Sequence, residues 1–305
     1  MADLLIVGPG AIGGVLACRW LEAGCQVMAL ASHAEREARL SRRGLSFTAN
    51  GGYRRAWKIE SARRRGPRPP ARAAFFCVKN HQTARAIETA RPWIGPETIV
   101  VGLQNGLGHE RLFRRAYGRR RVVLGVCYVA ADRTAPLSVF HAGGRSIQLA
   151  ADADNARAAR RAAAWLRAGG WRVSLLEDED AMLWTKLCLN AAGNPLGALS
   201  NAANGQLSSD PCLRNLLATA AREAAAAARA DGHRLLVKDL SSALGRTFPR
   251  GSRQRNSMLQ DLSAGRRTEN SAILGPILSA AKRRGLRLSL LPRLNRLLER
   301  LERRP

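Results

Sequence analysis

The sequence predicts an α/β domain at the amino-terminal end of the chain, followed by a domain made only of helices. Three observations lead to this expectation. An apolar strand near the first residue runs directly into a glycine-rich turn and an amphipathic helix. Strand and helix patterns then alternate as far as residue 176. From Glu177 only helical patterns continue, so we predict a first domain over residues 1–176 and a second over 177–305.

Bulk composition limits the classes of protein to consider. The 305 residues are 46% hydrophobic, which is enough to bury a core and argues against disorder. No apolar run reaches the roughly 20 residues that a membrane span needs, and no secretory leader is visible. The six cysteines form no Cys-x-x-Cys pair, so we expect reduced core residues and no metal site. These features predict a cytoplasmic protein without a membrane partner.

The net charge of +27 comes almost entirely from arginine. A basic chain of this kind could bind nucleic acid or a membrane surface. Here, however, the arginines are spread over the whole length, and aromatic residues make up only 5% of the chain. We therefore expect most arginines to lie on solvated faces, with no nucleic-acid partner. A positive field of this size would still attract phosphorylated cofactors and small anions.

The glycine-rich turn has the spacing Gly8-x-Gly10-x-x-Gly13. In a dinucleotide-binding fingerprint the first glycine permits the tight turn, and the second lets a pyrophosphate approach the backbone. The third lets the helix pack on the strand. The free N–H groups of the helix then face the phosphates. The turn predicts a Rossmann-like domain whose cofactor-binding residues include Gly8, Pro9, Gly10, Ala11, Ile12 and Gly13.

The end of the second predicted strand, Cys25–Leu30, bears on the choice of nicotinamide cofactor. An NAD site places an acid there for the ribose hydroxyls, whereas an NADP site places positive or hydroxyl groups there for the 2′-phosphate. This strand is followed by Ser32, with Arg36 and Arg39 just beyond, and the nearest acids come later, inside the next helix. The pattern favours NADP (NADPH), with Ser32 as a cofactor-binding residue.

The next part of the first domain is predicted from turn signals and apolar runs. Residues 45–60 form a hairpin with its turn at Asn50-Gly51, and Ala62–Arg72, rich in Arg and Pro, forms a loop. Gly143-Gly144 is predicted to be a second hairpin turn, and His141 to be structural. The remaining predicted strands are Ala73–Val78, Thr98–Leu103, Val122–Ala130, Ser138–His141, Ser146–Leu149 and Arg172–Leu175.

Two of these strands end in polar residues. Lys79 follows the strand Ala73–Val78, and Asn105 follows the strand Thr98–Leu103. Ligands bind at the carboxyl ends of the strands in a parallel sheet. We therefore expect Lys79 and Asn105 to contribute to the same site as the glycine-rich turn.

The helical domain opens with Leu183–Pro195, which carries Lys186, Asn190 and Asn194 at i, i+4 and i+8 on one helical face. Spacing alone favours an exposed polar stripe, and Pro195 is expected to end or bend the helix. The Arg/Leu-rich tail from Leu286 is predicted to pack on the domain with a solvated arginine face. Further helices are predicted at Cys212–Ala230, Leu235–Leu244, Ser257–Ala264 and Thr268–Leu301, the last interrupted near Gly285 and Pro292.

Taken together, these motifs resemble the ketopantoate reductase (2-dehydropantoate 2-reductase) family over nearly the whole chain. The resemblance rests on the glycine-rich turn, Val78-Lys79, Leu103-Gln-Asn105-Gly106, the row from Trp184 to Pro195, Asn204-Gly205-Gln-Leu, and Ser257-Met-Leu-Gln-Asp-Leu with Thr268-Glu269. It implies an N-terminal Rossmann domain and a C-terminal all-helical domain. It also implies NADPH-dependent reduction of the 2-oxo group of ketopantoate, a step toward pantothenate.

The resemblance also implies roles for individual residues. Lys186 matches the family's general acid, and Glu269 matches its conserved glutamate. Asn190, Asn194 and Ser257 match substrate contacts, while Asn105 and Lys79 match residues near the nicotinamide. A hydride transferred to a carbonyl makes an alkoxide, which needs a proton and a compensating charge; an ammonium group can supply both.

The sequence departs from the family pattern in several places. Ser32 stands where the family has an arginine. Asn270, Ser271 and Leu274 replace the usual residues after Glu269, and Arg287–Leu291 replaces a Pro-Thr-Pro segment. Two alternatives therefore stay open: a related reductase of another small 2-oxo acid or ketone, and a basic nucleotide-binding regulatory or nucleic-acid-associated protein. The sequence does not choose an oligomeric state, and a homodimer is one option.

Overall fold

A computed structural model of the chain describes residues 4–65 and 70–303. The chain divides into two compact units. The first contains the residues up to Gln104 together with Gly108–Glu179, and the second contains Asn105–Leu107 together with the residues from Asp180 onward. The short segment 105–107 thus belongs with the helical unit, although the chain enters it from a strand of the first unit. No pattern in the sequence indicates that transfer.

The first unit is built on a ten-stranded sheet with the order β4-β3-β9-β8-β7-β6-β1-β2-β5, in which β10 pairs with β9. The strands are β1 Leu4–Val7, β2 Val27–Leu30, β3 Leu45–Ala49, β4 Arg54–Trp57, β5 Glu60–Ser61, β6 Ala73–Phe76, β7 Ile99–Gly102, β8 Val122–Ala135, β9 Ser138–Ala150 and β10 Arg172–Leu176.

The strands around β1 are parallel and in register at their carboxyl ends. Val7 lies opposite Leu30 of β2 and Phe76 of β6, and Phe76 lies opposite Gly102 of β7. All four strands are fully buried, which is typical of a parallel sheet covered on both faces. The residues that follow these strands therefore leave the sheet at one common edge.

The other end of the sheet is antiparallel where β8 pairs with β9 and β3 pairs with β4. The β3–β4 pairing confirms the predicted hairpin at residues 45–60. The predicted hairpin turn at Gly143-Gly144 is wrong, because β9 runs straight through both glycines. They have positive φ angles beside a register shift against β8, and a Cβ on Gly144 would strike the carbonyl oxygen of Tyr128. The glycines serve a β-bulge.

His141, predicted to be structural, lies next to this bulge. Its Nε2 is 2.9 Å from the carbonyl oxygen of Gly144, and its ring packs on Trp171. Burial lowers the pKa of His141 below its usual value. The contacts agree with a packing role for the ring.

The described part of the first unit also contains six helices: α1 Ala11–Glu22, α2 Ala34–Arg43, α3 Ala62–Arg65, α4 Thr83–Ala90, α5 His109–Tyr117 and α6 Ala156–Ala168, with short 3-10 turns at Asn80–Gln82, Arg91–Trp93 and Arg119–Arg121. The loop predicted over Ala62–Arg72 is wrong at its start, where α3 forms, and residues 66–69 lie outside the described part. Helix α1 contacts strands at both ends of the sheet, and its Trp20 donates from Nε1 to the carbonyl of Trp165 at 2.6 Å.

The second unit is made of seven helices in its described part: α7 Glu179–Ser200, whose first residue belongs to the first unit, α8 Asn204–Ser209, α9 Pro211–Ala230, α10 Leu240–Thr247, α11 Ser257–Ser263, α12 Asn270–Arg283 and α13 Leu291–Glu302. Helix α8 was not predicted, and α10 begins later than expected. Pro195 does not end α7, which continues to Ser200. These observations confirm the α/β class with a following helical domain.

The tail helix α13 packs as predicted. Leu291, Leu294 and Leu298 are buried, and the helix contacts α9 and α12. No helix among the described residues is long and apolar enough to cross a membrane.

The cysteines form no disulfide in the described part of the chain. Burial raises the pKa of the Cys18 and Cys188 thiols to about 12, so both stay protonated at neutral pH. Cys212 is exposed, so the expectation that all six are core residues is wrong at that position.

Candidate functional site

The glycine-rich turn is shaped by steric limits at Gly8 and Gly13. Gly8 has φ +89°, and its backbone N–H donates to the carbonyl of Leu30 at 3.0 Å. A Cβ on Gly8 would lie 2.6 Å from Cγ1 of Val78, and a Cβ on Gly13 would strike the carbonyl oxygen of Gly8. Both positions therefore require glycine to hold the turn between β1 and α1.

Gly10 is different, because packing within the protein does not demand a glycine there. The nearest atom to a Cβ on Gly10 would be the carbonyl oxygen of Gly8, at 4.0 Å. The space in front of Gly10 faces the amino end of α1, whose first turn contains no acidic residue and whose cap position makes no side-chain hydrogen bond. Ala11 and Ile12, at the start of α1, are half-buried. This arrangement fits the pyrophosphate of a dinucleotide.

Next to the turn, Arg36 in the first turn of α2 donates from Nη2 to the carbonyl of Pro9 at 2.9 Å. Ser32 is exposed at the carboxyl end of β2. The sequence placed Arg36 only just beyond this strand. Its contact with the glycine-rich turn was not predicted, because no sequence motif links Arg36 to Pro9.

Glu37, whose carboxylate bonds to the residue after this strand, is turned inward. Glu37 is 1% exposed and accepts hydrogen bonds from the hydroxyl of Ser61 at 2.6 Å and from the backbone N–H groups of Arg63 and Ala31. It also forms an ion pair with the guanidinium of Arg63. With these partners, the Glu37 carboxylate points into the interior of the unit and its oxygens are occupied by hydrogen bonds.

Lys79 leaves the sheet at the same edge as the glycine-rich turn and is half-buried after β6. The next residue, Asn80, is held through both its side-chain amide and its backbone carbonyl. Its Nδ2 lies 3.1 Å from Nδ1 of His109, and its carbonyl accepts from the hydroxyl of Thr83 at 2.7 Å. Burial lowers the pKa of His109 to about 4, so the ring is neutral at pH 7. The rigid Asn80 fixes the backbone beside Lys79.

In the second unit, the predicted row lies on α7 with Asn190 and Asn194 buried and Lys186 half-buried. The helix can be approached closely at Gly193, where a Cβ would overlap the ring of Phe248. The row is thus packed among other helices and is not the solvated stripe that spacing alone favoured.

Asn105 joins this row to Glu269. Nδ2 of Asn190 donates to Oδ1 of Asn105 at 3.2 Å, and Nδ2 of Asn105 lies 3.5 Å from Oε2 of Glu269. The segment is held by Leu107, whose N–H donates to the carbonyl of Ala272 at 3.0 Å. Three of the predicted site residues are therefore brought together, although they lie far apart in the sequence.

Glu269 is buried at the amino end of α12, and α13 braces the residues on both sides of it. Thr268 donates from its hydroxyl and, at 3.0 Å, from its N–H to the carboxylate of Glu302. Asn270 donates from Nδ2 to Oδ1 of Asn295 at 2.8 Å. These contacts between α13 and the start of α12 could not be predicted from the sequence, because no sequence motif links Glu302 or Asn295 to the residues around Glu269.

Ser257 is the first residue of α11 and is half-buried. Asn256, before it, accepts from the N–H of Leu259 at 3.0 Å and packs against Gly197 of α7, where its Nδ2 leaves no room for a Cβ. The sequence signal for this residue was an asparagine directly before a helix, the usual N-cap pattern. Among the described residues, no group of His, Cys, Asp or Glu could hold a metal ion.

Comparison with known proteins decides the family. The sequence model of the ketopantoate reductase PanE/ApbA family matches residues 4–153, and the model of that family's C-terminal part matches residues 178–302. The chain belongs to this family. The resemblance seen in the sequence is thereby confirmed, and the protein is an oxidoreductase of the 2-dehydropantoate 2-reductase type that uses a nicotinamide dinucleotide.

Individual relatives agree with this assignment. The 2-dehydropantoate 2-reductase of Halobacterium salinarum is 28% identical over 282 residues, which are 92% of each chain. The crystal structure of the 2-dehydropantoate 2-reductase of Geobacter metallireducens is 27% identical, with a TM-score of 0.85 over 98% of this chain and 99% of that one.

A solved structure with a different activity shares the fold. D-mandelate dehydrogenase, with NADH and anilino(oxo)acetate, has a TM-score of 0.88 at 22% identity over 98% of both chains. At that identity the likeness concerns the fold alone.

Proposed function

We propose that this chain reduces the 2-oxo group of ketopantoate to the hydroxyl of pantoate with NADPH as the reductant. The observation that carries the proposal is the hydrogen-bonded series Asn190–Asn105–Glu269, which begins on the face of α7 that also holds Lys186. It offers a half-buried ammonium, amide groups and a carboxylate within one unit of the fold, a set of groups suited to a hydroxylated 2-oxo acid.

The residues of the first unit fit the cofactor. Gly8 to Gly13 would hold the pyrophosphate at the amino end of α1, with Ser32 and Lys79 as further contacts. When bound, NADPH supplies the hydride. The choice of NADPH over NADH is supported by Glu37, whose carboxylate is engaged by Ser61 and Arg63 and is not offered to ribose hydroxyls.

Lys186 acts as the general acid. As the 2-oxo oxygen gains negative charge, Nζ of Lys186 stabilises that charge and transfers a proton to the oxygen, leaving a hydroxyl and a neutral amine. Solvent then returns a proton to the amine. Because Lys186 is half-buried, its charge acts at reduced dielectric screening.

The other residues orient the substrate. Asn190, Asn194 and Ser257 donate hydrogen bonds to its carboxylate and oxo groups, and Glu269 accepts from its hydroxyl. The bond from Asn190 to Oδ1 of Asn105 fixes the Asn105 amide, so that its Nδ2 faces Glu269. A preset arrangement of this kind lowers the entropy lost when the substrate binds.

The departures from the family pattern are compatible with ketopantoate as the substrate, because packing accounts for most of them. Leu274 is fully buried in the core of the unit, Ser271 is exposed, and Asn270 bonds to Asn295 of α13. Within Arg287–Leu291, the hydroxyl of Ser289 and the N–H groups of residues 289–291 donate to Glu223 of α9. Most of these departures therefore affect the packing and hydrogen bonding that hold α12 and α13 in place.

The test is a comparison of kcat/KM for NADPH oxidation with ketopantoate, pyruvate, 2-oxoisovalerate and phenylglyoxylate. We expect ketopantoate to be turned over with the highest kcat/KM. A higher value for another 2-oxo acid would assign the chain to a related reductase, and no oxidation with any of them would refute the proposal.

A further inference from the structure

Three arginines lie around the end of β2, and they differ in how their charge is balanced. Arg39 pairs with Glu35 at 2.8 Å, and Arg63 pairs with Glu37. Arg36 has no carboxylate within ion-pair distance among the described residues; its one hydrogen bond runs to the carbonyl of Pro9. Only this guanidinium is held against the glycine-rich turn without a counter-charge from the protein.

The surroundings of Arg36 reinforce this difference. The side chain is half-buried, and its Nε is buried without a hydrogen-bond partner. Burial and the nearby positive charge of Arg133 both lower the pKa of Arg36, whereas no acid raises it. Because an arginine stays protonated in proteins, the region carries a standing positive charge.

Arg133 reaches this region from β8. It lies directly opposite Val139 of β9, so both side chains lie on the same face of the sheet. Val139 packs at Gly14 in the first turn of α1, where a Cβ would lie 2.9 Å from its Cγ1. Arg36 and the positive end of a helix dipole therefore lie beside the glycine-rich turn, with Arg133 near enough to act on the charge of Arg36.

We infer that Arg36, with Arg133 beside it, binds the 2′-phosphate of the adenosine ribose of NADPH and so makes this chain prefer NADPH to NADH. The inference rests on the proposed function. The pyrophosphate is already accommodated by the N–H groups at the start of α1, whereas the 2′-phosphate lies toward the end of β2. A phosphate monoester close to a dianion is matched better by two guanidinium groups than by one. The exposed Ser32 supplies a hydroxyl where the family's arginine would stand.

The experiment measures dissociation constants of NADPH and NADH by fluorescence titration for the wild type, Arg36→Ala and the control Arg39→Ala. Arg39 lies on the same helix, but its charge is balanced by Glu35. For Arg36→Ala we expect NADPH to bind roughly 10- to 100-fold more weakly, as for the loss of a charge-assisted hydrogen bond, with NADH nearly unchanged. Arg39→Ala should leave both constants near the wild-type values.

A second variant guards against distortion of the turn. Arg133→Ala leaves the bond from Arg36 to Pro9 in place and should also weaken NADPH selectively. In parallel, 2′-AMP should compete with NADPH better than 5′-AMP does for the wild type, and this advantage should disappear in Arg36→Ala.

Other outcomes would overturn the inference. An equal loss of NADPH and NADH in Arg36→Ala, with Arg133→Ala unaffected, would assign Arg36 to the turn or the pyrophosphate. Equal affinity of the wild type for both cofactors would refute the inference while leaving the reductase proposal intact. Absence of binding of either dinucleotide would refute both.

Discussion

Asn190 donates a hydrogen bond from its Nδ2 to Oδ1 of Asn105, with 3.2 Å between the two atoms. Asn190 lies within α7, and Asn105 lies in a three-residue segment that the chain reaches directly after β7. The bond fixes which end of the Asn105 amide donates, and that donor lies 3.5 Å from Oε2 of Glu269. The two asparagines thus form one orienting unit in the candidate site.

The first prediction concerns the coupling of these asparagines. Asn105→Ala and Asn190→Ala should each lower kcat/KM for the 2-oxo acid, because each removes part of the same arrangement. The double variant should lose less than the product of the single losses, with a coupling of about 1 kcal/mol. A double-mutant cycle on kcat/KM measures this, with the dissociation constant of NADPH in Asn190→Ala as the control. Strictly additive effects would mean that the two residues act independently.

The second prediction concerns Lys186. Lys186→Ala should lower kcat by roughly 10²–10⁴-fold, as expected for loss of a general acid, while the affinity for NADPH stays nearly constant. Lys282→Ala removes an exposed lysine from α12 and should keep wild-type kcat, so it is the matched control. Steady-state kinetics and cofactor titration provide both measurements. Near-normal turnover in Lys186→Ala would refute its assignment as the acid.

The third prediction is a pH dependence of stability that originates at His109. Burial lowers the pKa of this ring in the folded protein from 6.5 to about 4, with Glu110 opposing the shift. Between these values the unfolded chain binds a proton that the folded chain does not, so stability rises with pH across this window. Lowering the pH from 7 to 5 should cost about 2 kcal/mol through His109 alone.

Urea unfolding of the full chain at both pH values measures this cost. His109→Gln should be less stable at pH 7, since it disturbs the contact with Asn80, but should lose less on acidification than the wild type. The exposed His81, changed to Gln, is the control and should retain the wild-type difference. An unchanged difference in His109→Gln would place the titrating group elsewhere.

The fourth prediction tests the bulge in β9. Gly144→Ala forces a side chain into a backbone with φ +69° and against the carbonyl oxygen of Tyr128. We expect a loss of about 2 kcal/mol or more in the free energy of unfolding. Gly51→Ala also has a positive φ, of +86°, but its Cβ would meet no atom within 4 Å, so it should cost only about 1 kcal/mol. Equal losses would show that the bulge tolerates a side chain.

Local pattern accounts for much of what could be predicted. The apolar run of β1, the glycine spacing and the start of α1 are contiguous, so their conformations follow from neighbouring residues. The β3–β4 hairpin was predicted for the same reason, because Asn50-Gly51 defines a tight turn. The row on α7 was visible from helical spacing. Its burial was not, because burial depends on which helices pack against it.

Local sequence preferences were overridden at two positions. Gly143-Gly144 has the local pattern of a turn, yet its pairing with β8 makes it a bulge within a continuous strand. Pro195 was expected to end or bend its helix, and α7 continues past it to Ser200 with buried residues on both sides of the proline. In each case non-local contacts outweighed a local preference of about 1–3 kcal/mol.

By itself, the sequence determined the class of fold, the dinucleotide fingerprint and the residues that mark the ketopantoate reductase family, since each depends on residues close together in the chain. Only the tertiary structure decided that Asn105 bonds to Asn190 and lies against Glu269, that α13 braces the start of α12, and that Glu37 is turned inward while Arg36 is held at Pro9. These relationships depend on which surfaces pack together, and packing couples residues whose separation along the chain carries no local signal.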